Sequence, residues 1–445
     1  MVQMTEERPE AQELEADVIA PPMDIVKRTL FHGGVLSAFR NRDYTLLLSG
    51  AFVSNIGTWI HNTVLLWYVK DTYGSNASVA AVNLANFLPV LLFVIIAGSL
   101  ADNLNRKKII IMTQAVMMLA ALALAICTQA GVASLPVILV ITAVMGVAFT
   151  FTFPATRSII PDLVPRADMQ NAIALDAAQF NMTRCIGPAI AALIFSAWGV
   201  QAAFYINAAS FMAVILALLA VRTRTPGLPP PPGGRARHVR EGMRYAWGHK
   251  WSRNLLIVLG IFSFSGTSFI VLLPGITKDV LHKGNVGYGF LLGFVGMGAV
   301  IGGPLVTLLG RYIKEREIIK YSTLGYGLLM LLVSFCRTYW VCMLLALGLG
   351  ITVLMMSATV NTVLQSRVER EMRGRIMSFY IMVFQGVLPV GGLAMGFLSD
   401  RTSLPFTVFI GGITCACLGA VIILVPSILR EAAFAVLPQE GPFKG

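Results

Sequence analysis

Two charged and two amide side chains stand close together in one of the long apolar stretches of this sequence. Asp176, Gln179, Asn181 and Arg184 all lie within residues 173–197. A charge inside a bilayer is costly, and it usually faces a partner or a water-filled cavity where it has a function. Asp176 and Arg184 would lie two turns apart and about 80° around a helix axis, so they need not pair. We expect Arg184 to face a central cavity; the alternative is that it snorkels to the membrane surface or bonds to carbonyls of a neighbouring helix.

A second polar set lies within residues 44–67. Asn55, Thr58 and Asn62 fall on one face at helical spacing, which would be unfavourable against lipid. We therefore expect them to line the same cavity. His61 could titrate near neutral pH, although a lone histidine more often makes a structural hydrogen bond. Three further amides follow the same pattern in other apolar stretches, namely Asn83, Asn86 and Asn361.

The sequence offers no set of residues for catalysis. It has no nucleophile with a matching acid and base and no Walker-type phosphate loop. All six cysteines fall in apolar runs, and the pair Cys415 and Cys417 has no histidine or carboxylate nearby. We interpret that pair as packing residues, because a metal site needs further ligands. We expect no enzymatic activity, no cofactor and no metal.

The elements that must position these side chains are membrane-spanning helices. Of the 445 residues, 56% are hydrophobic and only 13% are charged, with a mean hydropathy of +0.74. That leaves too little polar material to cover a soluble globule. Apolar runs of about 20 residues, long enough to cross the hydrocarbon as a helix, recur along the chain. We predict twelve spans: 44–67, 78–100, 108–130, 134–156, 173–197, 201–221, 254–277, 287–310, 318–337, 339–362, 375–398 and 405–427.

The net charge of +12 is explained by topology. With residue 1 on the cytoplasmic side, cytoplasmic segments carry 28 of the 34 Lys and Arg residues, five lie in the outer loops, and Arg184 lies within a span. This is the bias toward positive cytoplasmic loops that sets the orientation of helical membrane proteins. We expect a multi-pass protein of the inner or plasma membrane with both termini cytoplasmic, in contact with the bilayer and without a nucleic-acid partner.

Two bundles of six helices are predicted. The segment 223–253 is rich in Pro, Gly and basic residues, so it reads as a cytoplasmic linker, and its second part is expected to form an amphipathic helix on the membrane. A plain charged connector is the alternative. The predicted organisation is a disordered tail 1–38, bundles 39–222 and 254–428 on either side of the linker, and a tail 429–445.

A repeat relates the two bundles. Residues 164–175 precede span 5 and residues 368–379 precede span 11 at an offset of 204 residues. On the same offset Gly187 falls on Gly391. Transporters that rock two repeated halves around a site at the midplane have this architecture. We expect four residues to serve helix packing near this site: Gly187, Pro188, Gly391 and Gly392.

The stretch GSLADNLNRKK, residues 98–108, carries a family resemblance. It resembles the signature between spans 2 and 3 of the major facilitator superfamily, which reads Gly, three residues, Asp, a basic residue, any residue, Gly and two basic residues. Asn103 and Asn105 depart from it. Segments 39–69, 153–175, 184–194 and 373–392 are similar to the enterobactin-exporter branch, which includes macrolide efflux proteins. The matching signature positions are Gly98, Asp102, Arg106 and Lys107.

The resemblance implies a conformational latch. Asp102 is expected to dock at the start of span 11 beside Arg375 when the cytoplasmic side is closed, where helix N–H groups and the guanidinium would stabilise its charge. The alternative is that Asp102 only caps span 2. Residues 396–401, GFLSDR, repeat the first half of the signature but fall on the outer side, so we interpret them as a loop turn.

The expected fold is therefore an all-α membrane protein with twelve helices in two six-helix bundles, the major facilitator fold. The expected function is export of a small, partly hydrophobic molecule, siderophore or drug-like, by alternating access. The resemblance implies exchange for protons and a monomer. Two alternatives stay open, an importer of a sugar or peptide and a transport-inactive membrane sensor or scaffold. The polar faces of spans 1, 2 and 5 argue against the scaffold.

Overall fold

The computed structural model describes residues 36–223, 244, 246–368, 370–425 and 427–430. Most of both predicted tails and most of the predicted linker helix lie outside these residues. The described part of the first half forms six long helices. They are α1 Arg42–Tyr73, α2 Asn76–Asn103, α3 Arg106–Gln129, α4 Leu135–Leu163, and α5 (169–198) and α6 (200–220), the two arms of Met169–Ala220.

The second half repeats this arrangement with two irregular helices. Helix α7 begins at Lys250–Ser265 and continues through 3₁₀ turns, Thr267–Leu272, to a π-helical turn, Ile276–Val280. Helix α11 joins Arg370–Ile381 to Val387–Arg401 through a π-helical turn, Met382–Gly386. The regular helices of this half are α8 Asn285–Leu309, α9 Glu315–Phe335, α10 Tyr339–Arg367 and α12 Leu404–Leu424.

The number of membrane-crossing helices agrees with the prediction. Ten segments of the described chain are long and apolar enough to cross a bilayer. One of them, Arg166–Ala220, has 55 residues and contains both α5 and α6. Helix α1 is not among the ten because it is more polar, yet it packs along both of these arms. Counted with α1, and with α5 and α6 taken separately, the described chain holds twelve long helices.

Gly199 makes the turn between α5 and α6. Its φ of 80° and ψ of −177° belong to a region that only glycine enters without strain. We expect Gly199→Ala to lower the free energy of unfolding by about 1–3 kcal/mol. Thermal unfolding of the purified protein in detergent measures this. The matched control is Gly248→Ala, since a Cβ on Gly248 would meet nothing within 4 Å; equal losses for both variants would contradict the role of Gly199.

The two halves meet along two pairs of helices. Helix α2 packs on α11 and α5 packs on α8, while the remaining long helices pack mainly within their own half. The described chain begins and ends on one side of the bundle, which we call the terminal face. The other side carries the α1–α2 turn at Gly74, and we call it the opposite face.

The buried apolar clusters follow this division with two exceptions. The larger cluster comes from α7 to α12 but includes Trp67 of α1. A smaller one comes from α1 to α6 but includes Val271 of α7. Trp67 stacks on Tyr288 of α8 with ring centroids 5.7 Å apart, and both side chains are buried. The halves therefore share apolar core toward the opposite face.

Candidate functional site

The polar residues of α1 and α5 come together near the middle of the bundle. The side-chain amide of Asn55 donates a hydrogen bond to Gln179 Oε1 at 3.3 Å. Asp176 lies beside Gln179. Arg157, at the terminal-face end of α4, attracts the negative charge of the Asp176 carboxylate. Thr58 and Asn62 are partly exposed on the same face of α1. This polar patch joins residues that are far apart in the sequence.

An aromatic pair lies directly beside the patch. Trp59 of α1 and Phe180 of α5 meet edge to face with ring centroids 6.5 Å apart. Gly187 lies against the Trp59 Cβ, so any larger residue would displace the indole. Neither aromatic residue was predicted to belong to the site, because aromatic side chains are common in apolar helices. Together they give the patch an apolar side suited to a partly hydrophobic molecule.

Arg184 lies at the middle of α5, one turn beyond Phe180. It is partly exposed. Met182 and Ile186, 48% and 36% exposed, point to the other side of the helix, as expected of residues that face lipid. Ile173, three turns toward the terminal face on the Arg184 side, is 55% exposed. The Arg184 side of α5 is therefore accessible at Arg184 itself and again at Ile173, toward the terminal face.

Five other residues predicted to line the cavity have contacts outside this patch or within their own helix. His61 is 1% exposed and packs against Phe204 of α6, with ring centroids 4.8 Å apart. It belongs to the interior of the first half and does not line the space beside Arg184. The amide of Asn181 donates to the Ala177 carbonyl of its own helix at 2.8 Å. The others are Asn83 and Asn86 on α2 and Asn361 on α10.

These three amides differ in their surroundings. The Asn83 amide nitrogen is buried without a hydrogen-bond partner among the described residues. The backbone of Asn86 packs closely on Gly146 of α4. Asn361 accepts a hydrogen bond from Gln365 one turn away on α10 and lies beside the Tyr380 hydroxyl of α11. Asn361 is thus the one member of the predicted set that lies in the second half.

A column of glycines on α8 forms the contact with α5. A Cβ on Gly289 would stand 2.5 Å from both the Ala192 Cβ and the Pro188 carbonyl oxygen, and one on Gly296 would stand 2.9 Å from the Arg184 carbonyl oxygen. Gly293, between them, lies against the Cys185 carbonyl with more room, 3.4 Å. Small residues at this spacing let helix backbones touch in membranes. The spacing of Gly289, Gly293 and Gly296 is visible in the sequence, but no helix contact was predicted from it.

On α11 the predicted packing glycines face α7. Gly391 lies against the Phe264 carbonyl and the Ser268 hydroxyl, and a Cβ on Gly392 would stand 3.0 Å from the Val271 side chain. The Ser268 hydroxyl also donates to the Leu388 carbonyl at 2.7 Å. Gly187 and Gly391, equivalent in the repeat, therefore both occupy sites of close helix contact.

Ion pairs join the halves at the opposite face. Lys70 of α1 pairs with Asp279 in the π-helical turn of α7 at 2.7 Å, and the Lys70 side chain is 2% exposed. Lys278 pairs with Asp71 at 2.6 Å, but both of these side chains are well exposed, so water weakens this pair. Between α1, α7 and α11 a pocket of about 480 Å³ remains, lined in part by Arg337.

Asp400, in the GFLSDR segment, is a contact between the halves and not a mere loop turn. Its carboxylate accepts hydrogen bonds from the Ser75 hydroxyl at 2.6 Å, the Asn76 N–H at 2.9 Å and the Ala77 N–H at 3.0 Å. These groups form the N-terminus of α2, where unpaired N–H groups favour an anion. The interpretation as a loop turn was wrong because the partner lies 325 residues away in the sequence.

The predicted latch residues at the terminal face are only partly described. Arg106 pairs with Asp162 at the end of α4 at 2.6 Å, and Lys107 donates to the Val221 carbonyl after α6 at 2.8 Å. Both bases therefore hold the α2–α3 turn to its own half. The side chains of Gly98, Asp102 and Arg375 lie outside the described part of the chain, so the docking of Asp102 on α11 stays a prediction.

Comparison with known families places the chain among transporters. Residues 33–440 match the model of the major facilitator group described as transmembrane secretion effectors. The chain belongs to this family. It is a transporter and not an enzyme, and the resemblance inferred from the signature is confirmed.

Curated relatives of this chain include siderophore and drug transporters. It is 24% identical over 373 residues to the staphyloferrin A transporter of Staphylococcus aureus, covering 83% of this chain and 93% of the relative. It is 25% identical over 402 residues to the multidrug efflux pump Tap of Mycobacterium tuberculosis, with 88% and 94% covered. The macrolide efflux protein A of Streptococcus pyogenes is 24% identical over 394 residues, with 86% and 95% covered.

Solved structures confirm the major facilitator fold. The nucleoside transporter NupG superposes with a TM-score of 0.69 at 16% identity, covering 86% of this chain and 99% of that one. A bacterial homologue of the lysosomal transporter Spinster, in an inward-facing and unoccupied conformation, gives 0.65 at 15% identity, with 88% and 97% covered. At these identities the likeness concerns the fold alone.

Proposed function

We propose that this protein exports a small, partly hydrophobic molecule, siderophore or drug-like, in exchange for protons. It works by alternating access, with the terminal face on the cytoplasmic side. The relatives named above, which carry a siderophore or drugs, support this substrate class. The distribution of Lys and Arg along the chain supports the orientation, because positive loops stay in the cytoplasm.

One structural observation carries the proposal. The halves are tied together at the opposite face through Lys70, Asp279 and Asp400, while the side of α5 that carries Arg184 is accessible toward the terminal face. An exporter must present its site to the cytoplasm before it opens outward. In the proposed orientation this conformation is the loading state of such a cycle.

Transport in inverted membrane vesicles tests this function. Substrate uptake and proton release are measured together for siderophores, macrolides and cationic dyes, with vesicles lacking the protein as the control. We expect uptake of at least one class accompanied by proton release. Uptake without proton movement would contradict proton exchange, and the absence of transport for every compound would favour the scaffold.

The proton carrier in this proposal is Asp176. It is the only acidic residue within a predicted span, and it lies in the polar patch beside Gln179. We expect Asp176→Asn to reduce proton-driven uptake at least about tenfold, while exchange of labelled for unlabelled substrate without a gradient continues. Asn181→Ala is the control, because Asn181 bonds only to its own helix among the described residues. Equal loss of driven uptake and of exchange in Asp176→Asn would contradict this role.

A further inference from the structure

Arg184 is a membrane-embedded charge without a partner among the described residues. Its guanidinium makes no hydrogen bond and no ion pair with any residue in the described part of the chain, although guanidinium groups carry five donors. A charge held at mid-membrane normally pairs or borders water because its desolvation is costly. The Arg184 side chain is partly exposed, so it is available to a molecule that approaches this side of α5.

Asp176 does not neutralise Arg184. The two residues lie eight positions apart on α5, which is about 12 Å along the helix axis. Asp176 is also the carboxylate on which Arg157 acts. In the second half, described acidic residues lie near the two faces of the bundle. Asp279 forms an ion pair with Lys70, and Glu317 forms one with Lys320. Among the described residues, Arg184 therefore has no acidic side chain that neutralises it.

We propose that Arg184 binds a carboxylate group of the transported molecule. This deepens the proposed function by naming a substrate class, amphiphilic carboxylic acids, and it depends on that function. A guanidinium matches a carboxylate with two parallel hydrogen bonds, which gives orientation as well as affinity. The aromatic pair Trp59 and Phe180, one turn away, provides a surface for the apolar part of such a molecule.

Binding of two matched fluorescent probes tests the site. Dansylglycine carries a carboxylate, and dansylglycinamide is its neutral amide with almost the same shape. Both are titrated against the full-length protein in detergent, with fluorescence as the readout. We expect the wild type to bind the acid about tenfold more tightly than the amide, since hydrogen bonds to charged groups are worth about 1.5–3 kcal/mol. Equal affinities, including no binding of either probe, would overturn the proposal.

Variants of Arg184 test whether this residue causes the tighter binding of the acid. We expect Arg184→Gln to abolish the preference for the acid and Arg184→Lys to retain part of it, because lysine keeps the charge but loses the planar fork. Arg311→Gln is the control. It removes one positive charge at the exposed α8–α9 turn and should leave the preference unchanged. A preference that survives in Arg184→Gln, or one that Arg311→Gln also removes, would contradict the assignment.

Thermal unfolding without ligand separates a binding role from a structural one. An unpaired charge kept for binding destabilises the free protein, so we expect ligand-free Arg184→Gln to unfold at the wild-type temperature or above it. A clear decrease that Arg184→Lys restores would show that Arg184 supports the fold, and it would overturn the proposal.

The site and the proposed function fail in distinguishable ways. If the wild type prefers the acid but vesicles transport nothing, the anion site stands and the exporter does not. If vesicles export compounds with proton release while acid and amide bind alike, the exporter stands and the site at Arg184 does not.

Discussion

Replacing Asp400 with alanine should open the opposite face of the protein. The carboxylate of Asp400, on α11, caps the N-terminus of α2, and the two helices belong to different halves. Loss of a helix-capping side chain costs about 1 kcal/mol, and about 1.4 kcal/mol corresponds to a tenfold change in population. We therefore expect the population open at this face to rise about five- to tenfold.

Distances between spin labels measure this shift. Thr72 and Thr402 are exposed and lie in different halves beside the contact, so labels placed there report the separation of the halves. Double electron–electron resonance in a variant without the six native cysteines should show a longer distance gaining weight in Asp400→Ala. Arg401→Gln is the control, since it alters the neighbouring charge without touching the cap. An unchanged distribution in Asp400→Ala would mean that the cap does not hold the halves together.

Replacing Gly289 with alanine should greatly lower the rate of transport. The added Cβ would stand 2.5 Å from the Ala192 Cβ and from the Pro188 carbonyl oxygen, whereas carbon contacts prefer about 3.5–4.0 Å. Backbone atoms cannot turn aside as a flexible side chain can, so α5 and α8 must separate. We expect the closed state of the opposite face to be lost and the initial rate of uptake to fall at least about tenfold.

Gly293 provides a matched control on the same column. A Cβ there would stand 3.4 Å from the nearest atom, the Cys185 carbonyl oxygen, so Gly293→Ala should transport nearly as the wild type does. Uptake rates per unit of protein in vesicles compare the two variants, and the spin-label pair shows whether the halves have separated. Equal rates for Gly289→Ala and Gly293→Ala would contradict a role for close backbone contact in the cycle.

The helices could be predicted from the sequence because hydrocarbon thickness fixes the length of an apolar span. The break near residue 199 was also visible, since the predicted spans 5 and 6 end and begin around Gly199. The irregular turns of α7 and α11 were not. Thr267–Leu272 and Met382–Gly386 have compositions that suit an ordinary helix, and only packing between neighbours sets their conformation.

The polar residues of the candidate site could be predicted helix by helix, but most of the contacts between helices could not. Asp176, Gln179 and Arg184 stood out because polar residues are rare in apolar stretches. The contact between Asn55 and Gln179 fits the predicted shared cavity. His61 shows the limit of this reasoning, because its position in the sequence does not reveal that it faces Phe204 and not the cavity. Asp400 shows another limit, since a cap that crosses between halves leaves no local pattern.

The glycine column of α8 has a kinetic consequence. When the side chains of two helices pack into each other's grooves, these contacts must break before the helices can slide past one another. Each broken contact adds to the activation barrier of the motion. The α8 surface that contacts α5 carries no side chains at Gly289, Gly293 and Gly296. The two helices can therefore rotate against each other at this contact without side chains that must separate first. We therefore expect the breaking of the contacts that Lys70, Asp279 and Asp400 make at the opposite face, and not movement of α5 against α8, to limit the rate of the motion.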